Sequence, residues 1–387
     1  MDWMELDKTY IANTYARFPV TLVKGEGSTV WDDSGREYTD LSGGIAVNTF
    51  GFSDPEWVKA VTEQLGLVQH TSNLFYTRPD VRLAQLLCEK TGMKKEFFSN
   101  SGAEANECAI KVARKYAQEK HGKEHFYIVT LVNSFHGRTL TTLAATGQDA
   151  FHHDFTPLTE GFIHVEANNI PALEEAVKTH ACAGILLEAV QGEGGVIPLD
   201  RAFVQAAARL ASEEDILLMM DEVQIGNGRS GKLYGYMHFG VQPDVVSTAK
   251  GLAGGLPLGA TLIGEKAKDV LTPGSHGSTC GGNPVCCAGA LSILSRLDEA
   301  VLDGVEKRSR LVREGLEGAP GVKSITGMGL MLGIETEKPC GDVIAACREK
   351  GVLVISAKTK VRLLPALNIP EEQLKKAVQV IREACGE

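Results

Sequence analysis

The residues of this chain that could do chemistry sit where short apolar runs give way to glycine. Lys250 follows Val245 and Val246 and precedes Gly251-Leu-Ala-Gly-Gly255. A lysine at a strand end, approached through glycines, suits a nucleophile whose amine forms a Schiff base with a carbonyl. The plain alternative is a solvated lysine ahead of a flexible loop. Asp221 ends the apolar run 216–220 and is followed by Glu222, Val223 and Gln224. A carboxylate at a buried strand end is costly unless paired. A protonated ring nitrogen is one partner for it, and a structural salt bridge is another. Glu188 and Glu193 follow the apolar run 183–187 in the same way.

Three further stretches carry groups of the complementary kind. Asn100-Ser101-Gly102-Ala103-Glu104 opens a helical pattern. Free N–H groups and the helix dipole favour an anion there, although Ser101 with Glu104 also reads as a capping box that needs no ligand. Phe135, His136 and Arg138 fall within four residues of one another and can stack on a flat ring and hold a carboxylate. An ordinary loop would carry the same residues. The run 274–284, with Ser278 and Thr279, brings hydroxyls and glycines to the start of another helix, and a linker is its plain reading. In combination these are the parts of a pyridoxal phosphate site: phosphate cradle, ring stacker, partner for the pyridine nitrogen and Schiff-base lysine.

The elements that must position them follow from periodicity. Almost fully apolar runs at 126–132, 183–188, 216–220, 244–248 and 259–263 predict strands, and helical spacing at 55–68, 79–91, 102–120, 171–180 and 201–213 places helices around them. Apolar strands between helices imply an α/β fold with a mostly parallel sheet covered on both faces, whose ligands lie beyond the carboxyl ends of the strands. A hairpin is expected at 27–41, turning at Asp33-Ser34-Gly35, with an irregular stretch after Gly43-Gly44. Beyond 280, helices at 284–298, 301–317, 341–350 and 371–385 and strands near 322–326, 329–335, 352–356 and 361–364 form a smaller α+β unit. The expected division is an N-terminal segment, 1–60, packing with the small domain, a large cofactor-binding domain, 61–279, and a C-terminal small domain, 280–387.

Composition narrows the function classes. The formal net charge is −10, which argues against a nucleic-acid surface. No apolar run approaches the roughly 18 residues of a membrane span, and the acidic start, Met1-Asp-Trp-Met-Glu-Leu-Asp7, reads as neither signal nor transit peptide. Nine cysteines without metal-ligand spacing or a CxxC pair fit reduced thiols in a cytoplasmic protein and no bound metal. A hydrolase elbow GxSxG and a P-loop are both missing from the sequence.

The sequence resembles the class III (ornithine-type) aminotransferases, which have the aspartate-aminotransferase (PLP type I) fold. The resemblance runs from Gly27-Ser-Thr-Val-Trp-Asp32 to Arg362-Leu-Leu-Pro365 and rests on Asn100-Ser-Gly-Ala-Glu-Ala-Asn106, Phe135-His-Gly-Arg-Thr139, Asp221-Glu-Val-Gln224, Ala249-Lys250 and His276-Gly-Ser-Thr279. It implies pyridoxal 5'-phosphate as cofactor, with Lys250 as the Schiff-base and proton-shuttling lysine. Asp221 holds the pyridine nitrogen, Phe135 stacks on the ring and His136 supports Asp221. Ser101, Gly102 and Ala103 bind the phosphate. Val223 and Gln224 flank the ring, and Thr279 reaches the phosphate of the other subunit, so a homodimer is implied.

On the substrate side, the resemblance implies that Arg362 grips the α-carboxylate of glutamate and that Glu193 pairs with Arg362 when the other substrate is bound. Arg138 takes the distal carboxylate, assisted by Ser278. Ornithine-specific relatives carry a tyrosine near the position of Gly44, and the glycines here leave room for an N-acyl group. The implied reaction moves the 5-amino group of N2-acetylornithine to 2-oxoglutarate. The alternatives are N-succinylornithine, succinyldiaminopimelate, ornithine or 4-aminobutyrate, a related aminomutase, or a non-catalytic homodimer that kept the fold. Departures from the family pattern fall at Ala189, Ile225, Asn227, Ser230, Cys280 and Ala366, and the last two lie near the expected site.

Overall fold

The structure is a computed structural model and describes residues 2–386. Its centre is a seven-stranded sheet in the order Lys95–Ser99, Gly259–Ile263, Val245–Thr248, Leu217–Asp221, Cys182–Glu188, Tyr127–Leu131, Phe162–Val165. All neighbours run parallel except Gly259–Ile263, which is antiparallel to both strands beside it. The apolar runs are explained by burial on both faces. Every residue of Cys182–Glu188 and of Leu217–Asp221 is buried. Alternate residues go to opposite sides: Leu217 and Met219 pack with Ala109, Val112 and Tyr116 of the helix Gly102–His121, whereas Leu218 and Met220 join the core that holds Leu173, Phe203 and Leu210. This is the period of two expected of a strand, with neither face left to water.

A second, antiparallel sheet orders Val322–Met328, Met331–Thr336, Lys360–Leu363 and Ile355–Ala357. Its core gathers Val312 and Leu316, Val343 and Cys347, and Leu374 and Ile381 from three helices, Glu299–Leu316, Cys340–Glu349 and Glu371–Gly386. The N-terminal hairpin forms as expected, Thr29–Asp32 against Glu37–Asp40, with Leu22–Glu26 added on the other side of Thr29–Asp32. The run expected as one strand at 352–356 divides: Val352–Leu353 adds in parallel to Glu37–Asp40, and Ile355–Ala357 pairs with Lys360–Leu363. That split ties the N-terminal sheet to the smaller unit, and Leu41 sits in the smaller unit's core. The helix Pro284–Leu294 ends earlier than expected. It lies beyond the boundary read at 280, yet its Cys287, Ala290 and Ile293 pack in the core of the large sheet.

The irregular stretch after Ser42 is a left-handed turn. Gly43, Gly44, Ile45 and Ala46 have φ of 54, 63, 62 and 64°. An L-residue in this region costs about 1–2 kcal/mol, so the surroundings must hold it. Asp40 does so: Oδ1 accepts from Ser42 N at 2.8 Å and Ser42 Oγ at 2.6 Å, and Oδ2 accepts from Gly43 N at 3.0 Å. Glycine is required at position 43 on a second count, since a Cβ there would lie 2.3 Å from the Leu364 carbonyl oxygen. The sequence reading also missed the helix Trp3–Tyr10 and the strands Lys95–Ser99 and Phe162–Val165.

Candidate active site

The carboxyl ends of the parallel strands, the start of the helix Gly102–His121 and the loop after Tyr127–Leu131 surround one cavity of about 460 Å3. Lys250, Asp221 and Arg138 all line it. The architecture explains the convergence, because each parallel strand releases its chain at the same edge.

Asp221 is 4% exposed, and its partners come from three elements. Oδ2 accepts from Asn106 Nδ2 at 2.7 Å and from His136 Nδ1 at 2.8 Å, and Oδ1 accepts from Val223 N at 3.0 Å. Neighbouring donors of this kind stabilise a buried carboxylate. With Nδ1 committed, His136 Nε2 is buried without a hydrogen-bond partner among the described residues. Asn106 was quoted in the sequence reading only as part of the helix-start motif. Its spacing gives no sign of a contact 115 residues away. The helical face could have shown it, since Asn106 is a polar residue on the side that carries Ala105, Ala109 and Ala113 into the core.

Lys250 stands at the end of Val245–Thr248 with φ of 47°, a conformation that a non-glycine residue keeps only under constraint, at about 1–3 kcal/mol. The constraint is applied on both sides. Asn227 Nδ2 donates to the Ala249 carbonyl at 3.1 Å, and Thr49 Oγ1 donates to the Gly251 carbonyl at 2.8 Å. Asn227 therefore clamps the peptide before the lysine. Burial holds the Lys250 ammonium below its usual pKa, with the positive Arg362 adding to the effect and the carboxylate of Glu193 opposing it. A larger share of neutral amine near pH 7 follows.

At the helix start both readings of Ser101 have a place. Ser101 Oγ accepts from Glu104 N at 3.2 Å, which is the cap. The reciprocal bond of a capping box is displaced by one residue, with Glu104 Oε2 accepting from Asn100 N at 2.6 Å. The first N–H groups of the helix, at Gly102 and Ala103, have no carbonyl one turn back and border the cavity. A Cβ on Gly102 would lie 2.6 Å from Val223 Cγ1, so the cavity wall has no room for a side chain here. Ser278 Oγ accepts from Asn100 Nδ2 at 3.1 Å. Thr279 is exposed on the same loop and lies outside the cavity.

The acids after Cys182–Glu188 have different surroundings. Glu188 bridges two loops, accepting from Phe135 N at 2.9 Å and Gly192 N at 3.2 Å. Burial pushes its carboxyl up to about 7, with nearby His136 opposing the rise and Asp221 adding to it. Glu193 meets Arg362 in a two-point ion pair, at 2.6 Å to Nη1 and 3.3 Å to Nη2. Gln224 joins both, accepting from Arg362 Nη1 at 2.8 Å and donating to Glu193 Oε1 at 3.1 Å. Burial pushes the Glu193 carboxyl up, but the Arg362 charge and hydrogen bond outweigh it and leave it below the usual range. Arg362 lies on Lys360–Leu363 of the smaller sheet, so the pair joins the two units. Arg138 is exposed, with its guanidinium 4.0 Å over the ring of Phe151 and 5.5 Å over that of Phe135. Phe151 comes from a loop that the sequence reading left blank. Gly44 is exposed on the left-handed turn and does not line the cavity, whereas Val47, three residues on, does.

A two-unit α/β fold with a lysine, a buried aspartate and a helix N-terminus around one cavity defines a cofactor-dependent enzyme of the transaminase kind. The family Aminotransferase class-III matches residues 10–385, and the chain belongs to it. It is 49% identical over 385 residues to an acetylornithine aminotransferase of Haemophilus ducreyi, covering 99% of this chain and 98% of that protein. An acetylornithine aminotransferase of Methanocaldococcus jannaschii is 41% identical over 392 residues, covering 100% of this chain and 98% of that protein. Among solved structures, N-acetylornithine aminotransferase from Stenotrophomonas maltophilia superposes with a TM-score of 0.85 at 34% identity, covering 98% of each chain. Ornithine aminotransferase from Toxoplasma gondii gives 0.94 at 32% identity, covering 98% of this chain and 93% of that one. The chain is thus a transaminase of the PLP type I fold, and pyridoxal 5'-phosphate is its cofactor. The donor set suits that group: an amine for its carbonyl, unpaired helix N–H groups for its phosphate and a buried carboxylate for its ring nitrogen.

Proposed function

We propose that the chain transfers the 5-amino group of N2-acetylornithine to 2-oxoglutarate, giving N-acetylglutamate 5-semialdehyde and glutamate, a step of arginine biosynthesis. The observation that carries this reading is the Arg362–Glu193 pair beside the lysine cavity. A transaminase with two unlike substrates must bind an α-carboxylate in one half-reaction and none at that position in the other. A guanidinium that exchanges one carboxylate for another meets the need at small cost, since one charge-assisted pair replaces another. The curated relatives at 41–49% identity support acetylornithine as the amine.

Pyridoxal 5'-phosphate, when bound, supplies a carbonyl that captures amines and a ring that withdraws electrons from the amine-bearing carbon. The roles proposed for the chain follow from its geometry. Lys250 would hold the cofactor through its amine and would move the proton at the amine-bearing carbon of the substrate. Asp221, supported by His136, would hold the ring nitrogen with its negative charge. Phe135, Val223 and Gln224 confine the ring, and Ser101, Gly102 and Ala103 cradle the phosphate. Arg138 would take the distal carboxylate with help from Ser278, and the acyl group would lie on the side of the cavity where Val47 follows the Gly44 turn.

We also propose a homodimer. Leu74, Phe75 and Tyr76 are 87, 68 and 97% exposed, a run of apolar surface that a second copy would cover. Thr279, exposed at the end of its loop, would then reach the partner's phosphate site. The nine free cysteines fit the reducing cytoplasm. Among the described residues no helix is long and apolar enough to cross a membrane. The test is isotope transfer: N2-acetylornithine labelled with heavy nitrogen at the 5-amino group should pass label to glutamate faster than N-succinylornithine, ornithine or 4-aminobutyrate. Faster transfer from any of those would displace the substrate and keep the chemistry.

A further inference from the structure

We infer that Asn106 is a positioning residue for this reaction: its amide, with His136, fixes the orientation of the Asp221 carboxylate and leaves one of its oxygens open to a further donor. The inference rests on the proposed role of Asp221. Asn106 is 1% exposed and lies just over one turn into the helix Gly102–His121. One amide hydrogen goes to Asp221 Oδ2 at 2.7 Å and the other to the His136 carbonyl at 2.8 Å. Both partners only accept, so the nitrogen must point at them. The amide oxygen accepts from Ser247 Oγ at 2.5 Å, and Ser247, 1% exposed, is the strand residue beside Asp221 in register. A flipped amide would set its oxygen against a carboxylate and a carbonyl and would meet an unfavourable cost at each. The orientation is therefore fixed from three sides.

The consequence falls on Asp221. His136 Nδ1 and Asn106 Nδ2 together occupy Oδ2, while Oδ1 has only Val223 N. Oδ1 keeps a lone pair for a further donor, and the carboxylate cannot rotate without breaking two bonds at Oδ2. Asn106 also holds the His136 main chain, and with it the loop that carries Phe135 and Arg138. Helix start, strand end and ring-stacking loop are thus set against one another by a single side chain that does not itself need to touch the cofactor.

The test uses Asn106→Leu, which keeps most of the volume and removes the donor. The cofactor dissociation constant, measured by equilibrium dialysis on apoenzyme, should rise about 10- to 100-fold, the range for losing a hydrogen bond to a charged group. The absorbance–pH profile of the cofactor-loaded enzyme should shift. kcat should fall while KM for the amine stays within about threefold, a split that loosened packing would not give. Ser247→Ala retains the bond to Asp221 but frees the amide to turn, and should give a smaller change of the same kind, which decides the matter should Asn106→Leu fail to fold. In an Asp221→Ala background, Asn106→Leu should weaken cofactor binding by a smaller factor than in the wild type, since only the bond to the His136 carbonyl is then lost. Cofactor affinity within twofold of wild type in Asn106→Leu, with an unchanged absorbance profile, would overturn the inference while leaving the role of Asp221 in place. An Asp221→Ala enzyme that binds the cofactor normally would remove both.

Discussion

Glu193→Gln tests the exchange of partners at Arg362. In the structure the Arg362 guanidinium is 2% exposed, and its only carboxylate partner among the described residues is Glu193. Breaking a buried ion pair from one side costs about 3–5 kcal/mol because the remaining charge stays buried. The Glu193 side chain is 29% exposed, and Gln224 Oε1 still accepts from Arg362, so roughly half of that cost should be felt. When N2-acetylornithine reacts, Arg362 has no substrate carboxylate and bears this loss. On the proposed exchange, the α-carboxylate of glutamate would replace Glu193, and the variant would no longer have to break a pair to admit it. The ratio of kcat/KM for glutamate to that for acetylornithine should rise about 10- to 100-fold. Each half-reaction can be read alone by single-turnover stopped-flow absorbance with one amine at a time. A ratio within twofold of wild type would refute the exchange, whatever the total activity.

Three further outcomes are expected. Lys250→Ala should lose turnover with every amine while still binding the cofactor non-covalently, as read by mass spectrometry under native and denaturing conditions. Gly43→Ala should lower the thermal midpoint by about 2–3 °C or more, since about 2 kcal/mol or more is expected from left-handed φ together with a Cβ placed against the Leu364 carbonyl oxygen. Glu222 has its carboxyl pushed up to about 8 by burial, with Asp221 adding to the rise and the N–H groups of Gly235 and Tyr236 opposing it. A folded pKa above the unfolded value stabilises fully below the unfolded value and is lost as pH rises through the folded one. The thermal midpoint should therefore fall between pH 5 and 8, and Glu222→Gln should flatten that fall.

The strands that the sequence made legible are those buried on both faces. Tyr127–Leu131, Cys182–Glu188, Leu217–Asp221 and Gly259–Ile263 lie within a residue of their expected bounds, because continuous apolar runs between helical patterns admit little else. Phe162–Val165 is an edge strand and Lys95–Ser99 opens with two charged residues before two aromatic ones, so neither shows such a run. The helix Trp3–Tyr10 has no buried residue, and hence no apolar face to show. The left-handed turn was visible only as Gly43-Gly44. Its start is anchored by Asp40, and the close approach of the Leu364 carbonyl at Gly43 comes from a distant part of the chain.

In the site, strand-end placement pointed to Asp221, which follows an apolar run directly, and to Lys250, which follows Val245 and Val246 after Ser247, Thr248 and Ala249. The groups that hold them were not. Asn106, Ser247, Asn227 and Thr49 act through hydrogen bonds between elements far apart in the chain. Phe151 lies under Arg138 only because the loop folds back.

The central claim is that this chain moves an amino group through Lys250, with acetylornithine as its amine. A single-turnover absorbance spectrum of the purified, cofactor-loaded protein tests it most directly. On mixing with N2-acetylornithine, the band of the lysine-bound cofactor should disappear as that of the aminated cofactor grows, faster than with N-succinylornithine, ornithine or 4-aminobutyrate. No lysine-bound band, and no conversion by any of these amines, would contradict the account.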